Sequence, residues 1–312
     1  MAGNSCGARG SSRLIALAQN RDMKRRNTML EVKILTRATM IGVVCLAFMA
    51  GFASAGSLDL SRYRLVNSFG APRVESSAIT YDWDSDSLFI VEDSARFFSQ
   101  ISKTGALISE MSLSGFRDTE GLSYMGNGKF VLVDERVQSL SVIGYIPAGT
   151  VVKSRVPSYF LGSKVKNDGI EGVSYDPSSG KFIAVKQKDP MKVIEATISF
   201  GQTTTGTQVD LFNPKSLGLN GLSDVQVLSM PWFAGTGFEQ NILFLSAKSR
   251  RLVEADRAGK VLSSFDLSKL APQAEGVTID KDGIIYVAAE GSGPKVIMVL
   301  APSGGLPLPV QK

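Results

Sequence analysis

The feature that most constrains the fold of this chain is an acidic residue that recurs five times, each time just before a short apolar strand and a turn. The instances are spaced by 45, 51, 53 and 51 residues. Self-similarity at such a period is typical of arrays of small sheets, and a four-stranded propeller blade needs about 40–50 residues. The period therefore predicts an all-β chain, a five-bladed β-propeller of four-stranded blades. The five acids are Glu75 (ESSAITYD), Glu120 (TEGLSYMGNG), Glu171 (IEGVSYDPSSG), Asp224 (LSDVQVLSM) and Glu275 (AEGVTIDKDG).

The two ends of the repeat array complement each other. The fifth repeat has strand patterns at 277–279, 283–287 and 296–300, and then only a tail rich in Pro and Gly. Segment 63–69, at the other end, has the pattern of a strand without a neighbour. Because a propeller removes exposed edges by closing its ring, we expect this N-terminal strand to complete the last blade. In the second repeat the outer strand is predicted over 151–160.

Six blades are the alternative to five. They would need blades of about 43 residues, close to the lower limit for four strands. Every interval between the acids is longer than that. The repeat therefore favours five blades.

The first 56 residues differ in composition from the rest of the chain. They carry eight Lys or Arg and two Asp or Glu, including the basic run Lys24-Arg25-Arg26. An apolar segment at about 38–58 follows, and it contains Ala53-Ser54-Ala55, which fits a signal-peptidase site. The segment is also long enough for one N-terminal hydrophobic helix that anchors the chain in a membrane. Both alternatives, a cleaved signal peptide and an uncleaved anchor, leave positive charge in the cytoplasm and export the remainder.

The sequence thus predicts three parts. Residues 1–56 are a basic leader, residues 57–305 the propeller and residues 306–312 a tail. The expected location is the cell envelope, either anchored in the inner membrane and facing the periplasm or free in the periplasm after cleavage. If the leader is uncleaved, its apolar segment is the predicted contact with the membrane.

Composition narrows the chemistry of the part after the leader. It has 26 Lys or Arg, 27 Asp or Glu, and neither His nor Cys. The absence of His and Cys excludes a Ser-His-Asp triad, a Cys nucleophile, a His-ligated zinc site and a disulfide there. The near-neutral balance gives no electrostatic basis for binding nucleic acid, and no nucleotide cofactor or haem is indicated. Oxygen ligands remain, and these favour a hard divalent cation, calcium before magnesium.

In a propeller the first strand of each blade lines the central channel, so the five acids are expected to meet at one end of it. The second strand runs antiparallel, so its last residues lie at the same end. Two carboxylates about 8 Å apart repel by roughly 2 kcal/mol at an effective dielectric constant of 20. The cluster therefore needs a cation, a proton or basic neighbours. The residues predicted to form a second polar ring are Asp93, Asp134, Glu135, Lys186, Lys248 and Glu290.

Taken together and in order, the strings ESSAITYD, DTEGLSY, DGIEGVSYDP, LSDVQ and AEGVTIDKDGIIYV resemble the SdiA-regulated, or YjiK-like, family of bacterial propeller proteins. Single motifs of this kind also look like those of NHL-type, gluconolactonase-like and esterase-like phytase propellers. The resemblance implies an envelope propeller with a central metal site formed by Glu75, Glu120, Glu171, Asp224 and Glu275. At Asp224 the chain departs from the Glu-Gly pattern, which implies that this shorter side chain lies outside the first coordination shell.

Three functions remain open. The first is a binding module that holds calcium at the channel and takes a small molecule or an envelope partner over that end. The second is a calcium-dependent hydrolase of esters, lactones or phosphoesters, with Arg96, Phe97, Tyr124 and Trp232 as candidates for a specificity wall. The third is a structural scaffold whose channel holds water. The sequence does not decide whether the protein is an enzyme.

Overall fold

The computed structural model describes residues 56–72, 76–92, 96–163, 169–270, 273–290 and 296–306. The chain divides into two units, Met1–Ser54 and Ala55–Lys312, and every described residue belongs to the second. The predicted leader helix and the last six residues lie outside the described residues. Of the predicted apolar segment, residues 56–58 belong to the propeller, where Leu58 is buried. No helix within the described ranges is long and apolar enough to cross a bilayer.

Strands and short 3₁₀ helices make up the regular structure of the described residues. The strands are β1 (Tyr63–Gly70), β2 (Ser76–Asp82), β3 (Ser87–Glu92), β4 (Phe97–Ile101), β5 (Leu107–Ser114), β6 (Gly121–Gly126), β7 (Lys129–Asp134), β8 (Ser139–Gly144), β9 (Thr150–Val152), β10 (Ser158–Phe160), β11 (Ile170–Asp176), β12 (Lys181–Lys186), β13 (Lys192–Ser199), β14 (Thr205–Phe212), β15 (Asp224–Val227), β16 (Ile242–Ser246), β17 (Arg251–Ala255), β18 (Val261–Asp266), β19 (Gln273–Ile279), β20 (Ile285–Glu290) and β21 (Val296–Pro302). The 3₁₀ helices are Leu60–Arg62, Glu135–Val137, Lys153–Arg155, Pro214–Leu217 and Pro231–Phe233.

These strands form five sheets, which are the five blades predicted from the repeat. Blade 1 contains β2, β3, β4 and β5, blade 2 contains β6, β7, β8 and β10, and blade 3 contains β11 to β14. Blade 4 contains β15 to β18, and blade 5 contains β19, β20, β21 and β1. The first strands pack on one another in sequence, β2 on β6, β6 on β11, β11 on β15, β15 on β19 and β19 again on β2. The contacts therefore close a ring.

The N-terminal strand closes that ring as predicted. Strand β1 pairs antiparallel with β21 from Tyr63–Pro302 to Gly70–Val296 and supplies the outer strand of blade 5. The chain just before it is fixed in blade 4 by the buried carboxylate of Glu254. This carboxylate accepts hydrogen bonds from Leu58 N at 2.8 Å and Ser57 Oγ at 2.6 Å. The N-terminal end of the propeller chain is thereby tied to blades 4 and 5.

The outer strand predicted over 151–160 is two strands in the structure. Residues 150–152 form β9, which pairs in parallel with β5 and adds a fifth strand to blade 1. Residues 158–160 form β10, the outer strand of blade 2, paired with β8. The 3₁₀ turn Lys153–Arg155 and the following Pro157 separate the two, because proline lacks the N–H that a continuous strand would donate.

Aspartates at the ends of first strands make the hairpin turns. Oδ1 of Asp82 accepts from Asp84 N at 2.9 Å, and Oδ1 of Asp176 accepts from Ser178 N at 3.0 Å. Oδ1 of Asp280 accepts from Asp282 N at 2.9 Å. This local pairing is the Asx turn, which reverses the chain within two residues. The acidic turns are therefore structural.

Apolar side chains fill the space between adjacent blades. Between blades 1 and 2, the rings of Phe89 and Phe130 lie 4.5 Å apart, and those of Phe98 and Phe130 lie 4.9 Å apart. All three rings are buried. Since each blade has two faces and each face meets a neighbour, the blades are stabilised only as a complete ring.

The glycines of the Glu-Gly motif permit the close approach of first strands. A Cβ on Gly172 would lie 2.6 Å from the Cα of Asp224 in the next blade. A Cβ on Gly121 would lie 2.8 Å from the carbonyl oxygen of Glu171, and one on Gly276 would lie 2.8 Å from Ile79 N. Real Cβ atoms do not approach backbone so closely, so these positions accept only glycine without a shift of the neighbouring blade.

We expect Gly172→Ala to destabilise the protein by about 1–3 kcal/mol, since it overpacks a rigid backbone contact. Urea unfolding measures the change. Gly144→Ala is the matched control, because nothing lies within 4 Å of a Cβ built on Gly144. The control should be neutral or slightly stabilising, and equal losses in both variants would contradict the close-approach explanation.

Candidate functional site at the acidic end of the channel

A ring of hydrogen bonds fixes the first strands against one another. Each bond joins a polar side chain of one blade to the neighbouring first strand. The bonds are Tyr124 N to Thr80 Oγ1 at 3.1 Å, Tyr175 N to Ser123 Oγ at 2.9 Å, Val227 N to Ser174 Oγ at 3.0 Å, Thr278 Oγ1 to Gln226 Oε1 at 3.1 Å and Tyr81 N to Thr278 Oγ1 at 3.0 Å. Thr80, Ser123, Ser174, Gln226 and Thr278 are thus equivalent positions of the five blades.

Counting three residues back from this ring identifies the equivalent residues at the other end of each first strand. Strand pairing supports the same alignment, because the register shifts at Ser77, Glu171 and Glu275, each bulged out of the ladder. A bulge of this kind redirects a side chain away from the sheet. The five equivalent residues are Ser77, Glu120, Glu171, Ser223 and Glu275.

Three of the five predicted acids therefore occupy equivalent positions, and two do not. Glu75 lies outside the described residues and precedes the equivalent position by two residues. Asp224 follows its equivalent position by one residue and occupies the place that Gly172 has in blade 3. Its side chain points toward blade 5, where Oδ2 accepts from Val277 N at 2.8 Å. Oδ1 of Asp224 is buried and has no hydrogen-bond partner among the described residues.

The glutamates act on one another across the end of the channel. Glu171 is 7% exposed. Burial, with the negative charges of Glu120, Glu135 and Glu275, raises the pKa of Glu171 from 4.5 to about 10. The Glu171 carboxyl also shares a hydrogen bond with the carboxyl of Glu135. Since a protonated carboxyl can donate such a bond, a proton on Glu171 relieves part of the repulsion.

Asp224 also favours its protonated form. Burial raises its pKa well above 3.8, and the charge of Glu275 adds to the increase. Hydrogen bonds from the backbone N–H groups of Val277 and Val225 oppose the rise. The acidic end thus contains two buried carboxyls, Glu171 and Asp224, that resist ionisation.

The predicted second ring divides into groups with different environments. Glu135 belongs with the glutamates, and its Oε1 also accepts from Gly169 N at 2.9 Å. Asp134 pairs with Lys153, while its Oδ1 is buried without a partner among the described residues. Lys186 donates to carbonyls of its own loop, those of Lys188 and Asp189. Lys248 is exposed.

Asp93 and Glu290 are the remaining members of that ring. Asp93 lies outside the described residues, and only the backbone of Glu290 is described. That backbone pairs with Gln273, which places Glu290 at the acidic end. Its position is therefore compatible with the predicted ring.

Aromatic side chains meet at the opposite end of the propeller. The ring of Trp83 lies 4.5 Å from that of Tyr124 and 5.8 Å from that of Trp232. Tyr124 and Trp232 therefore lie away from the glutamates at the acidic end and cannot line a pocket with them. Arg96 and Phe97, in contrast, lie at the start of the third strand of blade 1, at the acidic end.

The residues at the acidic end meet some requirements of a metal site and not others. They supply only oxygen donors, which suit a hard divalent cation. The unpaired, buried Oδ1 of Asp224 is a further oxygen without a protein donor. However, among the described residues no three acidic side chains are arranged around one metal position. The residue types fit a divalent cation, but the described side chains do not surround a single metal position.

Sequence reasoning missed the equivalence of Ser77 and Ser223 with the glutamates. The signal was present, because a polar residue three positions later aligns all five repeats. Alignment on the nearest acid instead selected Glu75 and Asp224, which are shifted by two residues and by one.

Five four-stranded blades around a channel with carboxyls gathered at one end define the class of protein, a β-propeller with an acidic channel mouth. The chain belongs to the SdiA-regulated family, which it matches over residues 60–298. This assignment agrees with the resemblance carried by the five motif strings.

Solved propeller structures are similar to this chain at low sequence identity. Virginiamycin B lyase from Staphylococcus aureus shares 12% identity with a TM-score of 0.40, and the match covers 76% of this chain and 68% of that chain. A luciferin-regenerating enzyme shares 10% identity with a TM-score of 0.46, over 78% of this chain and 96% of that chain. A streptogramin B lyase shares 11% identity with a TM-score of 0.42, over 79% of this chain and 100% of that chain. No statement about activity follows from similarity at this level.

The raised pKa of Glu171 predicts a pH dependence of stability. Between about pH 4.5 and pH 10 the folded protein holds a proton that the unfolded chain releases. Because the folded state binds more protons, stability falls as pH rises through this range. In EDTA, the melting temperature of the wild type should therefore fall between pH 5 and pH 9, and Glu171→Gln should flatten the slope.

Asp210→Asn is the control for that experiment. It removes a carboxylate that is 62% exposed on the outer strand of blade 3, so it should leave the slope as in the wild type. A slope that is the same in all three proteins would mean that Glu171 ionises normally.

Proposed function

We propose that this protein is an exported binding module of the cell envelope. Its acidic channel mouth would bind a hard divalent cation, with calcium preferred to magnesium. The observation that carries the proposal is the electrostatic repulsion that Glu171 receives from Glu120, Glu135 and Glu275. Three of these four residues, Glu120, Glu171 and Glu275, occupy equivalent positions of three blades. A cation would replace the proton that this group otherwise retains. When bound, it would supply positive charge and open coordination positions for a ligand.

Residues of this chain divide the task between them. Glu120, Glu171, Glu135 and Glu275 would hold the cation, which requires their side chains to turn toward a common point. The backbone beneath them is held by the hydrogen-bond ring and the close glycine contacts, so only side-chain rotations are needed. Asp224 lies close enough to Glu275 for the two charges to interact. Its Oδ2 accepts from Val277 N, and its Oδ1 is buried against Gly172.

Export is the second part of the proposal, and it rests on the leader. The basic run and the apolar segment 38–58 with Ala53-Ser54-Ala55 support it, whether or not the segment is cleaved. Within the propeller, the chain begins at Gly56, whose N–H donates to Gly237 O at 3.0 Å. Gly237 precedes β16, whose first residues lie at the end opposite the carboxyls. Gly56 therefore lies at the end of the propeller opposite the acidic mouth.

Calcium should raise the melting temperature of the wild type above that in EDTA. Calcium at about 100 times its Kd adds about 2.7 kcal/mol to stability, which corresponds to roughly 5–10 °C for a domain of this size. Magnesium should give a smaller shift, because it keeps its waters and demands stricter geometry. The double variant Glu120→Gln, Glu171→Gln should lose the calcium shift.

Asp210→Asn serves again as the control and should keep the full shift. Identical wild-type melting curves in calcium and in EDTA would remove the cation from this proposal. That outcome would favour a scaffold whose channel holds water.

A hydrolase is the second candidate, favoured by the Glu171–Glu135 carboxyl pair. A carboxyl with a strongly raised pKa beside a second carboxylate is an arrangement found in acid–base catalysis. A panel of chromogenic esters, lactones and phosphodiesters, assayed with calcium and with EDTA, tests it. Turnover that requires calcium and is lost in Glu171→Gln would establish the enzyme, whereas no turnover would leave the binding module.

A further inference from the structure

A second concave site lies between blades 2 and 3, at the end of the propeller away from the carboxyls. Its volume is about 500 Å³, which is within the range of about 300–1,000 Å³ that small-molecule sites occupy. Most of its lining is apolar, and the larger contributors are Met125, Val142, Tyr175, Phe182, Ile198 and Phe200. Neither the acidic mouth nor the proposed cation shares any of these residues.

The end of β8 explains why the space is open. Successive side chains of a strand point to opposite faces. The side chain of Tyr145 fills the cleft toward blade 1, where its ring lies 4.7 Å from that of Phe89 and its hydroxyl lies 2.7 Å from Ser109 Oγ. Gly144 belongs to the other face and contributes nothing, because no atom lies within 4 Å of a Cβ built there.

Large side chains occupy corresponding clefts at the same end. Between blades 3 and 4, Arg257 pairs with Asp176 at 2.5 Å. Between blades 5 and 1, Lys103 lies 2.9 Å from Asp86 and 3.1 Å from Asp280. The cleft between blades 2 and 3 is instead lined by aromatic rings, with Tyr175 and Phe182 at 5.3 Å and Phe182 and Phe200 at 5.7 Å. It therefore has the walls of a ligand site rather than those of an ion-paired contact.

One charge lies on the rim of this site. Lys129, the first residue of β7, lines the cavity and is exposed. Among the described residues, no carboxylate lies within 4.0 Å of its ammonium group; the nearby Lys181, in contrast, pairs with Glu195 at 2.6 Å. The half-buried Tyr175 places a phenol group beside the same space. An apolar cavity with a single cation at its edge is complementary to an apolar molecule that ends in an anionic group.

We propose that the cleft between blades 2 and 3 binds a small amphipathic anion, with its apolar body among Phe182, Phe200 and Met125 and its acidic group at Lys129. The aromatic walls favour an aromatic body, because rings pack edge-to-face and a methionine sulfur packs at ring edges. The site is separate from the channel and does not depend on the cation.

Three probes with the same body test the charge of the ligand: 4-phenylbutyrate, 4-phenylbutanol and 4-phenylbutylamine. Binding to the full chain is measured by calorimetry or by ligand-observed NMR, in EDTA so that the cation plays no part. The carboxylate should bind more tightly than the alcohol, and the alcohol more tightly than the amine. Lys129→Gln should weaken carboxylate binding about two- to fivefold, the effect of an exposed ion pair, and leave the alcohol unchanged.

Two further variants locate the site. Gly144→Leu fills the cavity without a backbone clash and should abolish binding of the carboxylate and of the alcohol. Ser114→Leu, at an exposed position of blade 1, and Lys260→Gln, on an exposed turn of blade 4, should bind as the wild type does. Retained binding in a folded Gly144→Leu protein, equal binding of all three probes, or no binding of any probe would each overturn the proposal. These outcomes do not touch the calcium experiment, so the two can fail separately.

Discussion

The ring of hydrogen bonds between first strands is the interaction on which the rest of this structure depends. A hydroxyl or amide from each blade joins the neighbouring first strand, as Thr80 does for Tyr124 N. Such bonds are available only when the strands lie close, and in three blades a glycine two residues earlier permits that approach. At Gly172 even one methyl group would reach the backbone of the next blade. The ring of hydrogen bonds can therefore close only if neighbouring first strands lie this close together.

The same closeness creates the acidic mouth. Residues spaced by about fifty positions in the sequence are brought around one axis, and burial then prevents them from all ionising. The chain reduces the resulting repulsion in two ways. Serines replace glutamates at two of the five equivalent positions, Ser77 and Ser223. Burial and the neighbouring charges also raise the pKa of Glu171, which favours its neutral form. A cation would be a third way, and it would compete directly with the proton.

The sequence was sufficient for architecture because architecture depends on a period. Five repeats, a missing outer strand and a spare strand at 63–69 have one common solution, which is the closure seen between β1 and β21. Register within a repeat is harder, because a bulge shifts it by one residue without changing the composition. Hence Asp224 matches the glutamates in sequence and matches their glycines in space. Antiparallel strand order already predicts that Glu135 lies at the same end as Glu171, whereas the burial that dominates the raised pKa of Glu171 depends on how the blades pack.

The same strands give the two ends of the propeller opposite chemistry, polar at one end and aromatic at the other. At the end where first strands begin, bulges turn polar side chains toward the axis, and the space between them is left to protons, water or ions. At the end where first strands finish, aromatic side chains such as Trp83 and Trp232 meet at the axis. The cavity at that end lies between blades 2 and 3, where Gly144 leaves room beside Lys129. The cation and the amphipathic anion that we propose would thus bind at separate places, because alternate residues and opposite strand ends face different surroundings.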